Sequence, residues 1–248
     1  MEALDRRTRW YELLIVLGLS LGASAVYSVL ELIEKLTRRQ AFRSTQAILN
    51  SSVVPDRPWL DLAYQLAGIG VTVMPALLAV YLLSRAPDGP LQIWPRRRGD
   101  YGWGVGLAAL IGVPGLALYA LARWLGISAE VVPAALEKVW WSAPVLILAA
   151  MANAILEEVV VVGYLFVRLE AQGFRVAAAI AASALLRGTY HLYQGFGAFV
   201  GNAIMGVIFA GWFAKTRRVG SLIVAHALID IVAFVGYALF KDKLSFLN

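Results

Sequence analysis

Seven stretches of mostly apolar residues alternate with shorter polar segments along the chain. They span about residues 11–34, 62–84, 102–124, 142–167, 174–192, 197–214 and 219–240. A helix needs roughly 20 apolar residues to cross the hydrocarbon core of a bilayer, whereas the strands of a membrane barrel are shorter and alternate between apolar and polar residues. The pattern therefore predicts an all-α fold, a polytopic transmembrane helix bundle of about seven to eight spans, with residues 1–248 forming a single domain.

Two of the polar connectors are long enough to hold structure of their own. The first, EKLTRRQAFRSTQAILNSSVVPDRPW at 34–59, is basic and polar, which is typical of an amphipathic helix on the membrane surface. The second, ISAEVVPAALEKVWW at 127–141, ends in two tryptophans and predicts a short helix at the membrane interface. The chain shows no internal repeat and no soluble domain between its apolar stretches.

The composition supports a membrane protein. Hydrophobic residues make up 60% of the chain and charged residues 15%, whereas a soluble domain usually contains about 25% charged residues. The chain contains no cysteine, which excludes disulfide bonds, thiol catalysis and zinc sites with cysteine ligands. The net charge of +6 does not indicate nucleic-acid binding, because the Lys and Arg residues lie mostly between the apolar stretches, where membrane topology places them.

The distribution of Lys and Arg also predicts an orientation in the membrane. If the N-terminus lies in the cytoplasm, the inner segments carry 12 of these residues and the outer segments carry 9. The 12 inner residues are Arg6, Arg7, Arg9, Arg85, Arg96, Arg97, Arg98, Arg168, Arg175, Lys215, Arg217 and Arg218. Since cytoplasmic segments are enriched in Lys and Arg, we expect a multi-pass protein of the cell membrane with a cytoplasmic N-terminus. Five of the nine outer residues lie in the first connector, so a re-entrant element that brings this connector inside stays an alternative.

Six ionisable residues of three predicted spans are the candidates for a functional site, two on each span. They are Glu157 and Glu158 on the fourth span, Arg187 and His191 on the fifth, and His226 and Asp230 on the seventh. A charge at this depth costs about 2.5–3.5 kcal/mol on insertion scales, so such residues usually face a cavity and have a function. Both histidines of the chain belong to this set, which favours a functional site over ion pairs that merely join helices.

The spacing of these residues brings them to common helix faces. The two on the fifth span and the two on the seventh are four positions apart, so each pair shares one face of its helix. Glu157 and Glu158 are consecutive and point about 100° apart, so we expect one of them to aim at a common point. Asn153 lies one turn before Glu157 on the same side. The three helices thus present carboxylates and imidazoles to one interior.

These residues form three short motifs on separate spans: EEVVVVGYLF beginning at Glu157, RGTYH at 187–191, and HALID at 226–230. They resemble the motifs of the CAAX protease and bacteriocin-processing family of membrane endopeptidases, which includes the type II CAAX prenyl endopeptidase. That family carries Glu-Glu-x-x-x-Arg, then Phe-x-x-x-His, then His-x-x-x-Asn or Asp. The resemblance extends over about residues 145–235, which it implies to be the catalytic, motif-bearing core helices.

Two positions depart from the family pattern. Val162 stands where the family has Arg, and Arg187 stands where it has Phe. We predict that Arg187 replaces the missing cation and pairs across helices with Glu158, because a buried carboxylate needs a partner. The same departures leave open an alternative in which the chain is a catalytically inactive family member that acts as a membrane scaffold or immunity protein.

The resemblance implies an intramembrane endopeptidase that hydrolyses a peptide bond near the C-terminus of a membrane-anchored or lipidated protein or peptide. It implies that Glu157 is the general base that activates water, that His191 helps to hold this water, and that the third motif stabilises the oxyanion. The implied catalytic residues are Glu157, His191, His226 and Asp230, and the supporting residues are Glu158, Arg187 and Asn153. Because an ionised Asp would repel an oxyanion, we expect Asp230 to orient His226, which then donates the hydrogen bond.

Two other functions fit the same residues. Two His and two carboxylates are suitable zinc ligands and would make a metal-dependent membrane protease, although the sequence has no His-Glu-x-x-His motif. A proton-coupled transporter would also use Glu, His and Asp as a relay, but such carriers often show internal repeats. We expect no cofactor, no bound metal and no nucleic-acid partner. The expected partners are a membrane-anchored substrate and the lipid bilayer, and the resemblance implies a cavity that opens to the cytoplasm.

Overall fold

The structure, a computed structural model, describes residues 5–85, 91–95 and 97–240, so Arg96 and the two ends of the predicted single domain lie outside the described residues. The helices are α1 (Arg6–Gly18), α2 (Leu21–Thr37), α3 (Pro58–Ser84), α4 (Arg98–Trp124), α5 (Ser142–Glu157), α6 (Leu165–Ala171), α7 (Val176–Thr189), α8 (Phe196–Thr216) and α9 (Gly220–Phe240). A π-helix, Glu158–Tyr164, joins α5 to α6, and 3-10 turns occur at Phe42–Ser44 and Leu192–Gln194. The predicted all-α membrane bundle is confirmed.

The seven predicted spans correspond to helical segments of different lengths. Among the described residues, α3, α4, α8, α9 and the continuous segment 142–171 are long and apolar enough to cross a membrane. The pair α1–α2 meets the same criteria together but is bent by 50°. The apolar helix Val176–Tyr190 is shorter, and at 1.5 Å per residue it reaches only about 22 Å. The predicted fifth span is therefore too short to cross a hydrocarbon core of about 30 Å.

The bent pair α1–α2 crosses the bundle and does not turn back within it. At its start, a guanidinium nitrogen of Arg9 donates to the carbonyl of Ala171, which lies just before α7 (2.9 Å). At its end, Nζ of Lys35 donates to the carbonyl of Tyr193, which lies just after α7 (2.7 Å). Since these two contacts lie beyond opposite ends of α7, the pair runs the whole length of that helix. The pair α1–α2 is therefore one bent span and not a re-entrant element.

The two long connectors form a small sheet, contrary to the helices predicted for them. Strand β1 (Gln46–Ile48) pairs in parallel with strand β2 (Glu130–Val132), with Ala47 opposite Val131. The predictions of a surface helix in 34–59 and of an interfacial helix in 127–141 are therefore wrong. Each strand is only three residues long, and its pairing joins segments more than 80 residues apart, so neither shows a local alternating pattern.

The bundle has two different ends. The ribbon end contains β1, β2 and the residues that follow α7, where the backbone of Ser128 pairs with Gly195. The basic end contains the start of α1, the 172–175 connection and the 217–219 connection, where Arg218 forms an ion pair with Asp100. The helices α4, α7 and α9 run from the basic end to the ribbon end, whereas α3, α5 and α8 run the other way. With a cytoplasmic N-terminus, as the charge distribution predicts, the basic end would face the cytoplasm.

The segment α5–π–α6 forms the centre of the core. All seven residues of the π-helix are buried, including four consecutive valines at 159–162. These valines pack in one hydrophobic cluster with side chains of α1, α3, α7, α8 and α9. The π-helix begins at Glu158, directly after Glu157, and π-turns inside α-helices frequently occur at functional sites.

Candidate active site

Three helices bring the ionisable residues together in the middle of the bundle. Glu157 is the sixteenth residue of the 30-residue segment 142–171, so it lies roughly 22 Å from either end along the helix axis. Arg187 is in the last turn of α7, and His226 is in the second turn of α9. Glu158 and Arg187 are fully buried and His226 is 5% exposed. The site therefore lies at about mid-depth in the apolar part of the bundle.

Arg187 bridges the two glutamates. One guanidinium nitrogen, Nη2, donates to Oε1 of Glu158 at 2.6 Å, and the other, Nη1, donates to Oε2 of Glu157 at 3.2 Å. The guanidinium also lies 5.6 Å from the centre of the Phe209 ring of α8. The predicted pairing of Arg187 with Glu158 is thus present. The expectation that only one glutamate would aim at the common point is wrong, because the forked guanidinium donates hydrogen bonds in two directions, one to each carboxylate.

Glu158 also orients the imidazole of His226. Oε1 of Glu158 lies 2.7 Å from Nδ1 of His226, so this nitrogen donates to the carboxylate. The other ring nitrogen, Nε2, lies 3.9 Å from Oε2 of Glu157 and 3.6 Å from Oδ2 of Asp230. Both distances are too long for a direct hydrogen bond. Glu158 therefore takes the orienting role expected for Asp230, and Nε2 faces the space between two carboxylates.

The end of α7 adds Tyr190 and His191. The hydroxyl of Tyr190 donates to Oε2 of Glu157 at 2.7 Å, the same oxygen that Arg187 contacts. Nδ1 of His191 lies 3.0 Å from the carbonyl of Arg187, so it donates there and leaves Nε2 as the acceptor of the neutral ring. Sequence reasoning missed Tyr190. Its position next to His191 in a polar motif was the available signal.

Asn153, predicted as a supporting residue, makes no direct hydrogen bond to the site among the described residues. It is half-buried on α5, one turn before Glu157. The network of direct contacts therefore consists of Glu157, Glu158, Arg187, Tyr190 and His226, with His191 attached through the backbone of α7. Asp230 stands beside it.

The accessible members of the site all lie toward the ribbon end. The side chains of Glu157 and Asp230 are 12% and 18% exposed, whereas that of Glu158 is fully buried. Asp230 lies one turn nearer the ribbon end than His226, and the half-buried His191 lies one turn nearer than Arg187. The more accessible side chains thus lie on the ribbon-end side of their buried neighbours. If the site opens in this direction, it opens away from the side of the N-terminus, so a cytoplasmic N-terminus and a cavity open to the cytoplasm, both expected from the sequence, would not hold together.

Comparison with known families fits this arrangement. The family model described as type II CAAX prenyl endopeptidase Rce1-like matches residues 139–232, a segment that includes all three motifs and every residue of the site. We found no match to the chain among curated proteins, and none among solved structures. The matched family is one of CAAX-type membrane proteases, so the match supports a protease embedded in the membrane. The resemblance seen in the three motifs is thus matched by a family model, that of Rce1-like type II CAAX prenyl endopeptidases, over residues 139–232.

Proposed function

We propose that the chain is an intramembrane endopeptidase in which Glu157 activates a water molecule to cleave a peptide bond. The substrate is a membrane-anchored or lipidated protein or peptide, cut near its C-terminus. The observation that supports this proposal most strongly is the placement of Glu157: Arg187 and Tyr190 hold one of its oxygens, and an imidazole nitrogen of His226 lies 3.9 Å away. A base and a hydrogen-bond donor thus face each other across a gap.

Glu157 is suited to the role of general base because hydrogen bonds fix one of its two carboxylate oxygens. Oε2 accepts hydrogen bonds from Nη1 of Arg187 and from the hydroxyl of Tyr190, which fixes the plane of the carboxylate. Oε1 is then the oxygen that accepts a proton from water. His191 helps to hold this water through Nε2, since its Nδ1 is engaged by the carbonyl of Arg187. A base positioned in this way contributes roughly 10²–10⁴-fold to a hydrolysis rate.

His226 is suited to the role of oxyanion donor. Its Nδ1 donates to Glu158 at 2.7 Å, which fixes the ring, and its Nε2 points to the gap beside Glu157 and Asp230. A ring that carries a hydrogen on each nitrogen donates from Nε2 as well as from Nδ1. Such a fixed donor stabilises the negative charge that develops on the carbonyl oxygen. Asp230, on the accessible side, contributes to the charge balance of His226.

The reaction then proceeds in two steps. Water attacks the carbonyl carbon of the scissile peptide while Glu157 takes its proton, and the resulting oxyanion accepts a hydrogen bond from His226. When the carbon–nitrogen bond breaks, Glu157 returns the proton to the departing amine nitrogen. The carboxylate is regenerated and the two products are a new carboxyl terminus and a new amino terminus. In this scheme Arg187 and Glu158 do not react but hold Glu157 and His226 in place.

The depth of the site agrees with a substrate that is itself anchored in the bilayer. Glu157 lies at about the middle of its span, so a soluble protein would have to thread a long extended segment to reach it. A chain end tethered by a lipid or a short apolar segment already lies at the required depth. We propose accordingly that the partners are the lipid bilayer and an anchored protein or peptide, and that the protein resides in the cell membrane.

A substrate screen tests this function. Purified protein in lipid nanodiscs is incubated with paired peptides that differ only in a C-terminal lipid, and products are identified by mass spectrometry. We expect C-terminal cleavage by the wild type and none by Glu157→Gln. Absence of cleavage by both proteins, when both are folded, would instead support the inactive scaffold or immunity protein. Equal cleavage of lipidated and unlipidated peptides would contradict the lipid-anchored substrate.

A metal-dependent protease is the second candidate, and one observation favours it. Ligand atoms of Glu157, Glu158 and His226 lie within 4.8 Å of one another, as in a metal site. The guanidinium of Arg187, however, contacts both carboxylates, so a positive charge already occupies the position between them. We therefore expect a chelator to leave cleavage unchanged. Loss of cleavage with EDTA and its recovery on addition of Zn²⁺ would favour the metal enzyme.

A further inference from the structure

The N-terminal span completes the site. Resting on the proposed protease function, we propose that Ser28 and Lys35 of α2 are positioning residues: they hold the backbone of Tyr193 and thereby fix Tyr190 and His191 opposite Glu157. Both side chains belong to a span outside the segment 139–232 that matches the family model. The N-terminal span thus takes part in the reaction, although none of the three motifs lies in it.

Both backbone groups of Tyr193 are bound by side chains of α2. The N–H of Tyr193 donates to Oγ of Ser28 at 2.7 Å, and its carbonyl accepts from Nζ of Lys35 at 2.7 Å. Nζ also pairs with Glu31 at 2.7 Å and lies 5.8 Å from the centre of the Tyr193 ring. Ser28 and Lys35 are only 3% and 5% exposed. A buried ammonium is costly to place, and here Glu31 on its own helix balances its charge while its hydrogen bond across helices goes to the carbonyl of Tyr193.

The opposite side of the same loop is held by the strand region of the ribbon end. The N–H of Ala129 donates to the carbonyl of Gln194 at 2.9 Å, and the N–H of Phe196 donates to the carbonyl of Ile127 at 3.0 Å. Gly195 has a φ of 114°, and a Cβ at this position would lie 2.6 Å from the carbonyl oxygen of Ile127. The loop between α7 and α8 is thus held between α2 and the start of β2.

This loop needs such support because α7 ends before the reactive groups. The helix ends at Thr189, so the i to i−4 hydrogen bonds of a continuing helix do not fix the residues from His191 onward. Tyr190 and His191 precede the clamped residue by three and two positions. A displacement of about 1 Å in a catalytic group can cost about 10²-fold in rate, so the clamp on Tyr193 affects the reaction without touching the substrate.

Hydrogen–deuterium exchange tests the clamp without reference to activity. Ser28→Ala removes the acceptor of the Tyr193 N–H, and Lys35→Gln removes the ammonium. We expect both variants to exchange at least about fivefold faster than the wild type in peptides covering 190–195. The matched controls are Ser24→Ala, one turn earlier on α2 and bonded within its own helix, and Arg38→Gln, whose partner is the exposed Glu34. Unchanged exchange in both test variants would overturn the clamp.

Kinetics on a cleaved peptide test the positioning role. We expect Ser28→Ala and Lys35→Gln to lower kcat by about tenfold with KM changed less than about twofold, and both controls to match the wild type. Faster exchange with an unchanged kcat would overturn the positioning role. Glu157→Gln is measured beside them: if it cleaves like the wild type, the proposed function fails and the positioning role fails with it, whereas the exchange data still report whether α2 holds the loop.

Discussion

At the scale of single residues, the site depends on one guanidinium that contacts two carboxylates. Arg187 has no exposed surface, and its partners Glu157 and Glu158 lie at the junction of α5 and the π-helix. Each of the three would be costly to bury alone, and together they compensate one another's charge only in part. The main contribution of this ion-pair cluster is therefore a fixed geometry. Arg187 orients Glu157, and Glu158 orients His226.

Removing this cation should destabilise the protein. Arg187→Leu leaves two carboxylates without their partner, and breaking a buried pair from one side typically costs about 3–5 kcal/mol. Thermal unfolding in detergent measures the effect. The control is Arg38→Leu, which breaks an exposed pair with Glu34 and should change stability by less than about 1 kcal/mol. Equal stability of the two variants would show that Arg187 is not the required partner of the glutamates.

Removing the hydroxyl of Tyr190 should slow catalysis more than it affects folding. Tyr190→Phe deletes one of the two hydrogen bonds to Oε2 of Glu157. A hydrogen bond to a charged group contributes about 1.5–3 kcal/mol, so kcat should fall about 10- to 100-fold. Tyr193→Phe is the matched control, because its hydroxyl accepts from Gln194 in the same loop. Equal kcat values for the two variants would contradict the role of the Tyr190 hydroxyl in holding Glu157.

Most residues of the site could be predicted from residue types and spacing, but which side chain contacts which could not. The rarity of charge inside apolar spans identified the six ionisable residues, and the i to i+4 rule grouped them by face. Which oxygen meets which nitrogen depends on side-chain reach across helices. For this reason the sequence placed Asp230 next to His226, whereas Glu158, on another helix, makes the 2.7 Å hydrogen bond.

At the scale of elements, close packing of α7 on α8 sets the position of Arg187. A Cβ added to Gly206 of α8 would lie 2.7 Å from the Cα of Ala184 on α7, and one added to Gly188 of α7 would lie 2.9 Å from the backbone oxygen of Phe199. Neither backbone atom can move without shifting its helix. Small residues at such contacts let membrane helices approach closely, and here they bring Arg187 within reach of α5.

A larger residue at this contact should separate the two helices. Gly206→Val forces a shift of α7 and should destabilise the protein by about 1–3 kcal/mol, with a loss of cleavage that follows the displacement of Arg187. Gly211→Val, on the same helix, should leave both properties unchanged, because a Cβ added there would meet no atom within 4 Å. Melting temperatures and initial rates of the two variants decide between these outcomes. A stable, active Gly206→Val would contradict the close packing.

Elements differ in how far their sequence determines them. The apolar stretches specified the long helices because length and composition alone determine a span. The strands at 46–48 and 130–132 depend on each other across the chain, and no local pattern marks them. The π-helix likewise has no simple sequence signal, although four consecutive β-branched valines crowd an α-helix and make a wider turn more acceptable.

At the scale of the whole molecule, the charge distribution and the open side of the site point to opposite ends. The basic end carries most of the Lys and Arg residues between spans, whereas the partly exposed Glu157, His191 and Asp230 lie nearer the ribbon end than Glu158, Arg187 and His226, respectively. If the basic end is cytoplasmic, as the positive-inside tendency predicts, and the site opens toward these partly exposed residues, it opens to the opposite side of the membrane. Substrates would then meet the protein from that side.

Cysteine labelling determines the orientation directly, because the natural chain has no cysteine. Ser84→Cys places a thiol at the basic end, and Ser44→Cys places one at the ribbon end; both serines are exposed. In intact cells, a membrane-impermeant maleimide should label the second variant and not the first. After lysis both should react. Labelling of Ser84→Cys alone would place the N-terminus outside and the open side of the site in the cytoplasm.

The central claim is that Glu157 activates the water that cleaves the substrate. Its most direct test is the single-turnover cleavage rate of Glu157→Gln on a peptide that the wild type cleaves, with Glu170→Gln as the control because Glu170 pairs with Arg217 at the basic end. The account predicts a rate about 10²–10⁴-fold below wild type for Glu157→Gln and a near wild-type rate for the control. A folded Glu157→Gln that cleaves within about threefold of wild type would contradict it.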